Sequence, residues 1–312
     1  MRYLVTGGAG FIGSNTVDEL VRRGHDVVVL DDLSAGKEEN LSEVRNKIKF
    51  IRGSVTEPEV VNGACNGADY VIHLAARTSV PRSVKQPVET NHVNVDGTLN
   101  VLVAARDAKV RRVVFAGSSS VYGETPTLPK REEMHPAPIS PYGVTKFVAE
   151  LYGQVFHRCY GLDFVSVRYF NVFGPRQDPG SPYSGVLSRF ITSMRDGAEP
   201  MVYGDGEQSR DFTFVENVAK GNIQACEAPG IGGMVLNLGT GGRYTLNETL
   251  RLLEKFSGRT AKAKYMPPRD GDIRDSQADI SLARQKIGYN PATDFEEGLR
   301  RTWDWYCATQ TA

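Results

Sequence analysis

The sequence predicts an α/β protein built on a doubly wound parallel sheet, with a smaller mixed α/β lobe beside it. Short apolar segments alternate with helical patterns through the first half of the chain. Strands that are apolar on both faces are typical of parallel sheets covered by helices on each side. A glycine-rich turn joins the first strand to the first helix. Beyond about residue 174 the alternation thins and glycine and proline recur, which indicates a second lobe.

The first strand, turn and helix have the order of a dinucleotide site. Residues 3–6 form an apolar strand, residues 7–13 read GGAGFIG, a helical pattern covers 11–23, and the strand at 27–30 ends in Asp31 and Asp32. Glycines let the backbone approach a pyrophosphate, the helix N-terminus supplies N–H donors, and a carboxylate accepts hydrogen bonds from ribose hydroxyls. This is a Rossmann-type pattern. Asp31 favours NAD over NADP, because its carboxylate would repel a 2′-phosphate, and Asp32 is given a secondary role.

Further strand–helix units continue the sheet. We predict strands at 48–51, 70–74, 113–116 and 164–168 and helices at 57–65, 81–108 and 141–160, with a break near Pro87. Ligands of such sheets lie at the carboxyl ends of the strands. The residues that follow the strands are therefore expected to meet at one edge: Gly7, Asp31, Ala75, Ala76, Arg77, Ser118, Ser119, Ser120 and Asn171.

A tyrosine and a lysine lie one turn apart on the predicted helix at 141–160. Tyr142 and Lys146 share one face of that helix. A free tyrosine has a pKa of about 10 and is a poor base at neutral pH, and a neighbouring ammonium group favours its phenolate form. The pair suits proton transfer at a hydroxyl or carbonyl. The spacing alone is more often a core tyrosine beside a surface lysine, so the interpretation depends on the surrounding motifs.

Composition and charge narrow the function classes. Lys+Arg and Asp+Glu both number 37 in 312 residues, so the net charge does not indicate a nucleic-acid or anionic-membrane partner. Four cysteines lie far apart with no Cys-x-x-Cys pair, which argues against a zinc site and a disulfide framework. The N-terminus has a strand pattern, and no apolar run approaches membrane-spanning length. We expect a cytoplasmic protein without a metal site.

The second half carries two arginines that suit an anionic ligand. Helices are predicted at 186–195, 216–227, 245–256, 280–287 and 295–307, and strands at 201–203 and 234–238. Arg210 and Arg269 lie beside glycine-rich turns. Each arginine alone is more readily explained as part of an exposed ion pair. Together, in a lobe that faces a dinucleotide site, they favour a diphosphate clamp.

Several motifs together carry a family resemblance that spans nearly the whole chain. They are residues 6–14 (TGGAGFIGS), 73–76 (HLAA), 94–98 (NVDGT), 118–123 (SSSVYG), 141–146 (PYGVTK), 168–175 (RYFNVFGP), 203–206 (YGDG), 210–212 (RDF) and 269–273 (RDGDI). The chain resembles the extended short-chain dehydrogenase/reductases that act on nucleotide sugars. Within that family it is similar to the UDP-hexose 4-epimerases.

The resemblance implies a set of site residues. Ser118, Tyr142 and Lys146 are the implied catalytic residues. The implied NAD contacts are Gly7, Gly10, Phe11, Ile12, Asp31, Asp32, Gly36, Ser54, Val55, Leu74, Ala75, Ala76, Tyr142 and Lys146. The implied UDP-sugar contacts are Ser118, Ser119, Tyr142, Asn171, Val186, Tyr203, Arg210, Arg269, Asp272 and Ser276.

The resemblance also implies an organisation and an activity. Residues 1–173 and 214–242 would form the NAD-binding Rossmann domain, and 174–213 and 243–312 the UDP-sugar lobe. Two copies would pair through the helix ending near Ala108 and the helix of Tyr142, forming a four-helix bundle. The implied activity is NAD-dependent 4-epimerisation of UDP-hexoses through a transient 4-keto sugar. Ser276, at a position that is tyrosine in glucose-restricted relatives, leaves room for an N-acetyl group.

Departures from the family pattern leave alternatives open. Ser54 stands where the family commonly has an acid that holds adenine, and Thr78 where some epimerases have a lysine. Related 4,6-dehydratases carry an Asp-Glu pair where this chain has Ser119 and Ser120. UDP-glucuronate decarboxylases usually show an acid at Ser120, whereas UDP-glucuronate 4-epimerases tolerate a serine run. A redox-sensing NAD-binding protein without catalysis is disfavoured, because Ser118, Tyr142 and Lys146 are all present.

Overall fold

The computed structural model describes residues 1–178, 185–268 and 274–309. In this part of the chain the strands are β1 (Arg2–Thr6), β2 (Asp26–Asp31), β3 (Ile48–Arg52), β4 (Tyr70–His73), β5 (Arg112–Ser118), β6 (Phe164–Tyr169), β7 (Val172–Phe173), β8 (Met201–Tyr203), β9 (Ser209–Arg210), β10 (Thr213–Phe214), β11 (Val235–Leu238), β12 (Tyr244–Thr245) and β13 (Lys264–Met266). The α-helices are α1 (Phe11–Arg22), α2 (Pro58–Cys65), α3 (Val80–Lys85), α4 (Pro87–Asn91), α5 (Gly97–Asp107), α6 (Pro141–Tyr160), α7 (Val186–Asp196), α8 (Val215–Glu227), α9 (Leu246–Ser257), α10 (Ser281–Ile287) and α11 (Phe295–Ala308). None of these helices is long and apolar enough to cross a membrane.

A seven-stranded sheet forms the centre of the molecule. Its order is β11-β6-β5-β4-β1-β2-β3, and its neighbouring strands are all parallel. The order runs outward in both directions from the β1–β4 pair, so the crossover connections reverse there. Such a reversal opens a crevice at the carboxyl edge of a doubly wound sheet. The predicted Rossmann-type fold class is therefore confirmed.

The predicted elements agree with the structure except in the stretch at 81–108. That stretch is α3, α4, a π-helical turn at His92–Asp96 and α5. The break near Pro87 is confirmed, because α4 begins at this proline. The π-helical turn was not predicted, and neither were β13 and the two-residue strands β7, β9, β10 and β12. Their patterns are too short to show a periodicity.

Two apolar cores cover the two faces of the sheet, and a third lies in the second lobe. Val5, Val114 and Val167 belong to one core, while Leu4, Val113 and Phe164 belong to the other. Alternate residues of the same strands thus enter opposite layers, as a strand's alternation requires. The third core combines Phe173 and Phe214 with side chains from α7, α9 and α11.

The segment from Ala278 to Tyr289 packs with the sheet rather than with the third core. Ala278, Ile280, Ala283, Ile287 and Tyr289 all belong to the core of the α1 and α8 face. The sequence-based division places this segment in the UDP-sugar lobe. The domain boundaries remain a prediction, and this packing favours assigning α10 to the larger unit.

Helix α6 lies unusually close to the sheet. A Cβ atom added at Gly153 would lie 2.1 Å from Cζ of Phe164. One turn earlier, the buried carboxylate of Glu150 accepts hydrogen bonds from Ser166 and from Arg168, whose nearest nitrogen lies 2.6 Å away. Such a buried pair is costly to break, because each charge would be left without its partner. These contacts fix the height and rotation of α6 over β6.

We predict that Gly153→Ala destabilises the fold. The new methyl group overlaps the ring of Phe164 and forces α6 away from the sheet. Urea unfolding should show a loss of about 1–3 kcal/mol of unfolding free energy. The matched control is Gly63→Ala in α2, where an added Cβ meets no heavy atom within 4 Å. That variant should gain up to about 1 kcal/mol, and equal stability of the two variants would contradict the packing argument.

Candidate functional site

The turn between β1 and α1 brings backbone unusually close to backbone. Gly7 has φ +69°, and a Cβ there would lie 2.8 Å from the nitrogen of Ala75. A Cβ on Gly13 would lie 2.0 Å from the carbonyl oxygen of Gly7. Gly10 is the N-cap of α1 and supplies no side-chain hydrogen bond. Glycine is therefore needed sterically, and the uncapped helix end that begins with Phe11 and Ile12 fits a pyrophosphate.

Asp31 ends β2 beside this turn. Its buried carboxylate accepts hydrogen bonds from the N–H groups of Ala9 at 2.9 Å and Leu33 at 2.8 Å. Burial raises the pKa of Asp31, and these two donors oppose the rise. Asp32 is exposed and accepts from the N–H of Ser34. The carboxylate of Asp31 is thus fixed where β2 meets the glycine turn, as a ribose contact requires.

The other implied cofactor residues surround the same turn. A Cβ on Gly36 would lie 2.8 Å from the carbonyl carbon of Ala9. Ser54 and Val55 follow β3, where the Ser54 hydroxyl lies 2.8 Å from that of Thr56 and Val55 is buried. Leu74, Ala75 and Ala76 follow β4, and Leu74 donates to the carbonyl of Thr6 at 3.1 Å. All these residues lie at the carboxyl edge of β1 to β4. This arrangement of close backbone and small polar groups fits a dinucleotide.

His73, which lies beside this edge, has a structural role. Its two ring nitrogens lie 2.6 Å from the hydroxyl of Thr6 and 3.0 Å from that of Thr98. Burial lowers the pKa of His73 to about 3. The imidazole therefore stays neutral at physiological pH and connects β4 to α5.

Ser118 ends β5 and faces helix α6. Its Oγ accepts hydrogen bonds from the hydroxyl of Ser120 at 2.8 Å and from the N–H of Ser120 at 3.2 Å. Because these donors occupy its lone pairs, the Ser118 hydroxyl proton is free to point elsewhere. Burial raises the pKa of Tyr142, and Ser118 is the polar neighbour that opposes this rise. Ser119 begins the 3-10 turn that follows, at Ser119–Tyr122.

The packing of α6 buries Lys146 and partly buries Tyr142. Burial raises the pKa of Tyr142 and lowers that of Lys146 to about 7. The Lys146 Nζ donates to the carbonyl of Ala116 at 2.8 Å and lies 5.9 Å from the Tyr142 ring centre. The expected stabilisation of phenolate by Lys146 is thus not the dominant influence in the protein itself. Desolvation outweighs it, and the Ser118 hydrogen bond is the opposing influence.

A cavity beside this centre combines apolar walls with a few polar groups. Asn171, Val186, Tyr203 and Arg210, four of the residues implied for UDP-sugar binding, line one cavity. The structure adds Phe173, Leu187, Gln208, Phe212 and Leu246 to its walls. Cavities of this kind bind small molecules, because apolar walls bury the ligand and convergent polar groups orient it. Arg269 and Asp272 lie outside the described residues.

Asn171 and Ser276 meet at the sheet side of this cavity. The Asn171 amide donates to the Ser276 hydroxyl at 2.9 Å and to the carbonyl of Asp211 at 3.0 Å. Asn171 has φ +34° and follows β6, whose Tyr169 pairs in register with Ser118 of β5. The residues implied for the sugar therefore continue directly from Ser118 along the same edge of the sheet.

Asp211 holds two loops together beside this cavity, a role that was not predicted from the sequence. Its fully buried carboxylate accepts hydrogen bonds from the N–H and hydroxyl of Thr240 and from the N–H groups of Gly241 and Ala278. The carboxylate thereby joins two loops to β9 beside Arg210. The motif at 210–212 contained the signal, an acid between an arginine and an aromatic residue. Only the fold shows which donors it meets.

The fold and the site define a class of enzyme. A glycine turn and a strand-end acid suited to a dinucleotide lie beside a serine–tyrosine pair suited to proton transfer. The cavity that contains the amide of Asn171 and the guanidinium of Arg210 lies next to them. These features define a dinucleotide-dependent enzyme that acts at a hydroxyl or carbonyl group.

Comparison with known proteins agrees with this class. The model of the NAD dependent epimerase/dehydratase family matches residues 3–239, and the chain belongs to that family. The family's cofactor is NAD. The seven-stranded sheet and the glycine turn both lie within the matched residues.

Three similar proteins cover almost the whole chain. A UDP-glucose 4-epimerase of Mycolicibacterium smegmatis is 39% identical over 310 residues, which cover 98% of each chain. The structure of a UDP-N-acetylglucosamine 4-epimerase from Methanobrevibacter ruminantium, in complex with UDP-N-acetylmuramic acid, has a TM-score of 0.95 and 41% identity, and covers 99% of this chain and 98% of its own. That of a Thermus thermophilus UDP-glucose 4-epimerase with NAD has a TM-score of 0.89 and 37% identity, and covers 98% and 99%.

Proposed function

We propose that the protein is an NAD-dependent 4-epimerase of UDP-hexoses that interconverts UDP-glucose and UDP-galactose. The observation that carries the proposal is the placement of the Ser118–Tyr142 pair. It lies at the carboxyl edge of the sheet, between the glycine turn and the cavity of Asn171 and Arg210. The similarity to 4-epimerases over nearly the whole chain supports the same activity.

Each catalytic side chain has a separate task. Bound NAD would supply reversible hydride transfer at C4 of the sugar, so that no net oxidation would result. The Tyr142 oxygen removes the C4 hydroxyl proton and later returns it. Ser118 donates a hydrogen bond toward the reacting oxygen, because Ser120 occupies its lone pairs. Lys146 carries a charge near Tyr142 when it is protonated, and its anchor at Ala116 keeps it in place.

The nucleotide end of the substrate must stay fixed while the hexose turns. Arg210 contributes a guanidinium group to the cavity, and Asn171 an amide held by Ser276 and the carbonyl of Asp211. Guanidinium groups bind phosphate through fixed paired donors. Tyr203 and Val186 supply apolar surface that suits a base. Arg269 completes the proposed diphosphate anchor.

The serine run favours epimerisation over elimination. A 4,6-dehydratase needs an acid and a base to remove water across C5 and C6, and Ser119 and Ser120 supply neither. The Ser120 side chain is instead used to orient Ser118. A UDP-glucuronate 4-epimerase would share this arrangement, so the C6 group of the substrate has to be tested directly.

We predict that the purified protein equilibrates UDP-glucose and UDP-galactose without added nicotinamide cofactor. Proton NMR of the anomeric region would follow both sugars, with UDP-glucuronate as the competing substrate. Tyr142→Phe should slow turnover by at least about 10²-fold, the scale of one acid–base group. Exclusive turnover of UDP-glucuronate, a decarboxylated sugar or a 6-deoxy product would overturn the proposal. Near-native turnover by Tyr142→Phe would remove that residue's assigned role.

The same site is proposed to accept N-acetyl sugars. Ser276 contacts Asn171 directly, so its side chain lies at the boundary of the cavity rather than in a remote loop. A serine there leaves volume that a tyrosine would fill. UDP-GlcNAc and UDP-GalNAc should therefore be interconverted as well as the plain hexoses.

Ser276→Tyr should reduce turnover of the N-acetyl sugars far more than turnover of UDP-glucose. The bulky ring competes for the space of the C2 substituent, and inserted bulk in a packed site typically costs about 1–3 kcal/mol. That cost corresponds to roughly 5- to 150-fold in kcat/KM. Ser276→Ala is the matched control, since it removes the hydrogen bond to Asn171 without adding volume. Equal loss on both sugars in Ser276→Tyr would show that Ser276 does not select the C2 group.

A second copy of the chain is the proposed partner at helix α6. Val144, Leu151 and Val155 are exposed along one side of α6, and Val88 of α4 is more exposed still. A dimer through the α5–α6 surface would cover the α6 row, since both copies present the same face. Sedimentation of the parent should give a dimer at micromolar concentration, and Val155→Glu should shift it to monomer. Met201→Glu, also exposed but on β8, is the control that should remain dimeric.

A further inference from the structure

A short segment after β7 is held against the dinucleotide-binding half at three points. We define residues 175–178 as the strap. The Asn15 side-chain amide donates to the carbonyl of Pro175 at 3.2 Å. The Arg176 guanidinium lies 2.6 Å from the carboxylate of Asp18. The Asp178 carboxylate lies 3.9 Å from Nζ of Lys37.

These three contacts come from both sides of the glycine turn. Asn15 and Asp18 belong to α1, which starts at the end of that turn. Lys37 follows Gly36 on the other side, and its N–H donates to the carbonyl of Ala9 within the turn at 3.0 Å. The strap thus contacts α1 on one side of the glycine turn and Lys37 on the other side, and this turn would hold the pyrophosphate.

The opposite side of the strap is tied to the second lobe. The Tyr306 hydroxyl on α11 donates to the carbonyl of Gln177. The side-chain amide of Gln177 donates to the carbonyl of Val172 at 3.3 Å. The strap therefore connects the cofactor-binding half with the lobe that contributes Val186 and Tyr203 to the substrate cavity.

Arg176 is the key residue of the strap. It has φ +71°, a left-handed conformation that costs a residue with a side chain roughly 1–2 kcal/mol. Interactions of its side chain have to offset this strain. The Arg176 side chain is 15% exposed and that of Asp18 30% exposed, so the pair is less screened than a surface pair. Burial raises the pKa of Asp18, and Arg176 is the main opposing influence.

We propose that the Asp18–Arg176 ion pair retains NAD by holding the strap across the exit from the glycine turn. The inference rests on the NAD site proposed above. A dinucleotide that leaves the glycine turn has to pass the strap. Because the strap is held by contacts on both sides of the turn, these contacts slow the release of the dinucleotide. Retention matters for a 4-epimerase, because loss of reduced cofactor in mid-reaction would leave a 4-keto sugar that cannot be returned to an alcohol.

Release of NAD from the loaded protein tests the strap directly. Asp18→Asn, Arg176→Gln and the double variant would be loaded with NAD, freed of excess by gel filtration and diluted into NAD-free buffer. Cofactor in the filtrate would be measured over time by an enzymatic cycling assay. Each single variant should release NAD about tenfold faster than the parent, the effect of losing an ion pair whose burial lies between that of surface and core pairs. The double variant should be no faster than the singles, because both remove the same pair.

A control separates retention from general loosening. Glu216→Gln breaks the Arg301–Glu216 pair of 2.9 Å, which joins α11 to α8 away from the glycine turn. It should release NAD at the parent's rate. The difference in melting temperature between loaded and NAD-free protein should shrink in the strap variants and stay unchanged in this control, as ligand linkage requires.

Two outcomes would overturn the inference, and they have different meanings. Strap variants that release NAD within twofold of the parent, or a Glu216→Gln variant that releases it as fast as they do, would reject the strap and leave the proposed function intact. A parent protein that holds no NAD at all would reject both, because the assigned cofactor site would then be wrong.

Discussion

The close seating of helix α6 on the sheet is the constraint on which the candidate site depends. Gly153 removes the side chain that would keep the helix at a distance, and Glu150 fixes its rotation through a buried ion pair with β6. Lys146 then reaches a strand carbonyl of β5. Tyr142 lies on the same rigid helix, so its position beside Ser118 follows from this packing. The same seating partly buries Tyr142 and raises its pKa, which makes the neighbouring Ser118 hydroxyl important.

A second constraint acts on the substrate side. The carboxylate of Asp211 is saturated by donors from two loops that are distant in sequence. Its backbone carbonyl also accepts from Asn171, which in turn contacts Ser276. A buried carboxylate without these donors would be strongly destabilised, so the loops have one favourable arrangement. The cavity next to Arg210 thereby gains rigid walls from segments that have little regular secondary structure.

The structural features that depend on short sequence patterns could be predicted from the sequence. The glycine turn, the acid after β2 and the Tyr142–Lys146 pair each lie within a few residues, and the predicted helix at 141–160 has the observed bounds. The π-helical turn at His92–Asp96, the donors to Asp211 and the strap contacts depend on residues far apart in the chain. The direction of the Tyr142 pKa shift also escaped prediction, because it depends on burial by the tertiary fold. Local spacing contains no information about desolvation.

The two halves of the site meet opposite physical demands. A reaction that removes and returns a hydride requires a cofactor that stays bound. Backbone lies close to backbone at Gly7, and retention of the cofactor is the proposed role of the strap. The hexose must turn over between the two transfers, so strong contacts to the sugar ring would oppose the reaction. Asn171 and Arg210 are among the polar groups that line the described substrate cavity, and the small Ser276 side chain accepts a hydrogen bond from Asn171. A firmly anchored nucleotide and a loosely bounded sugar would together permit rotation, so the proposed roles of the strap and of Ser276 concern different parts of the same cycle.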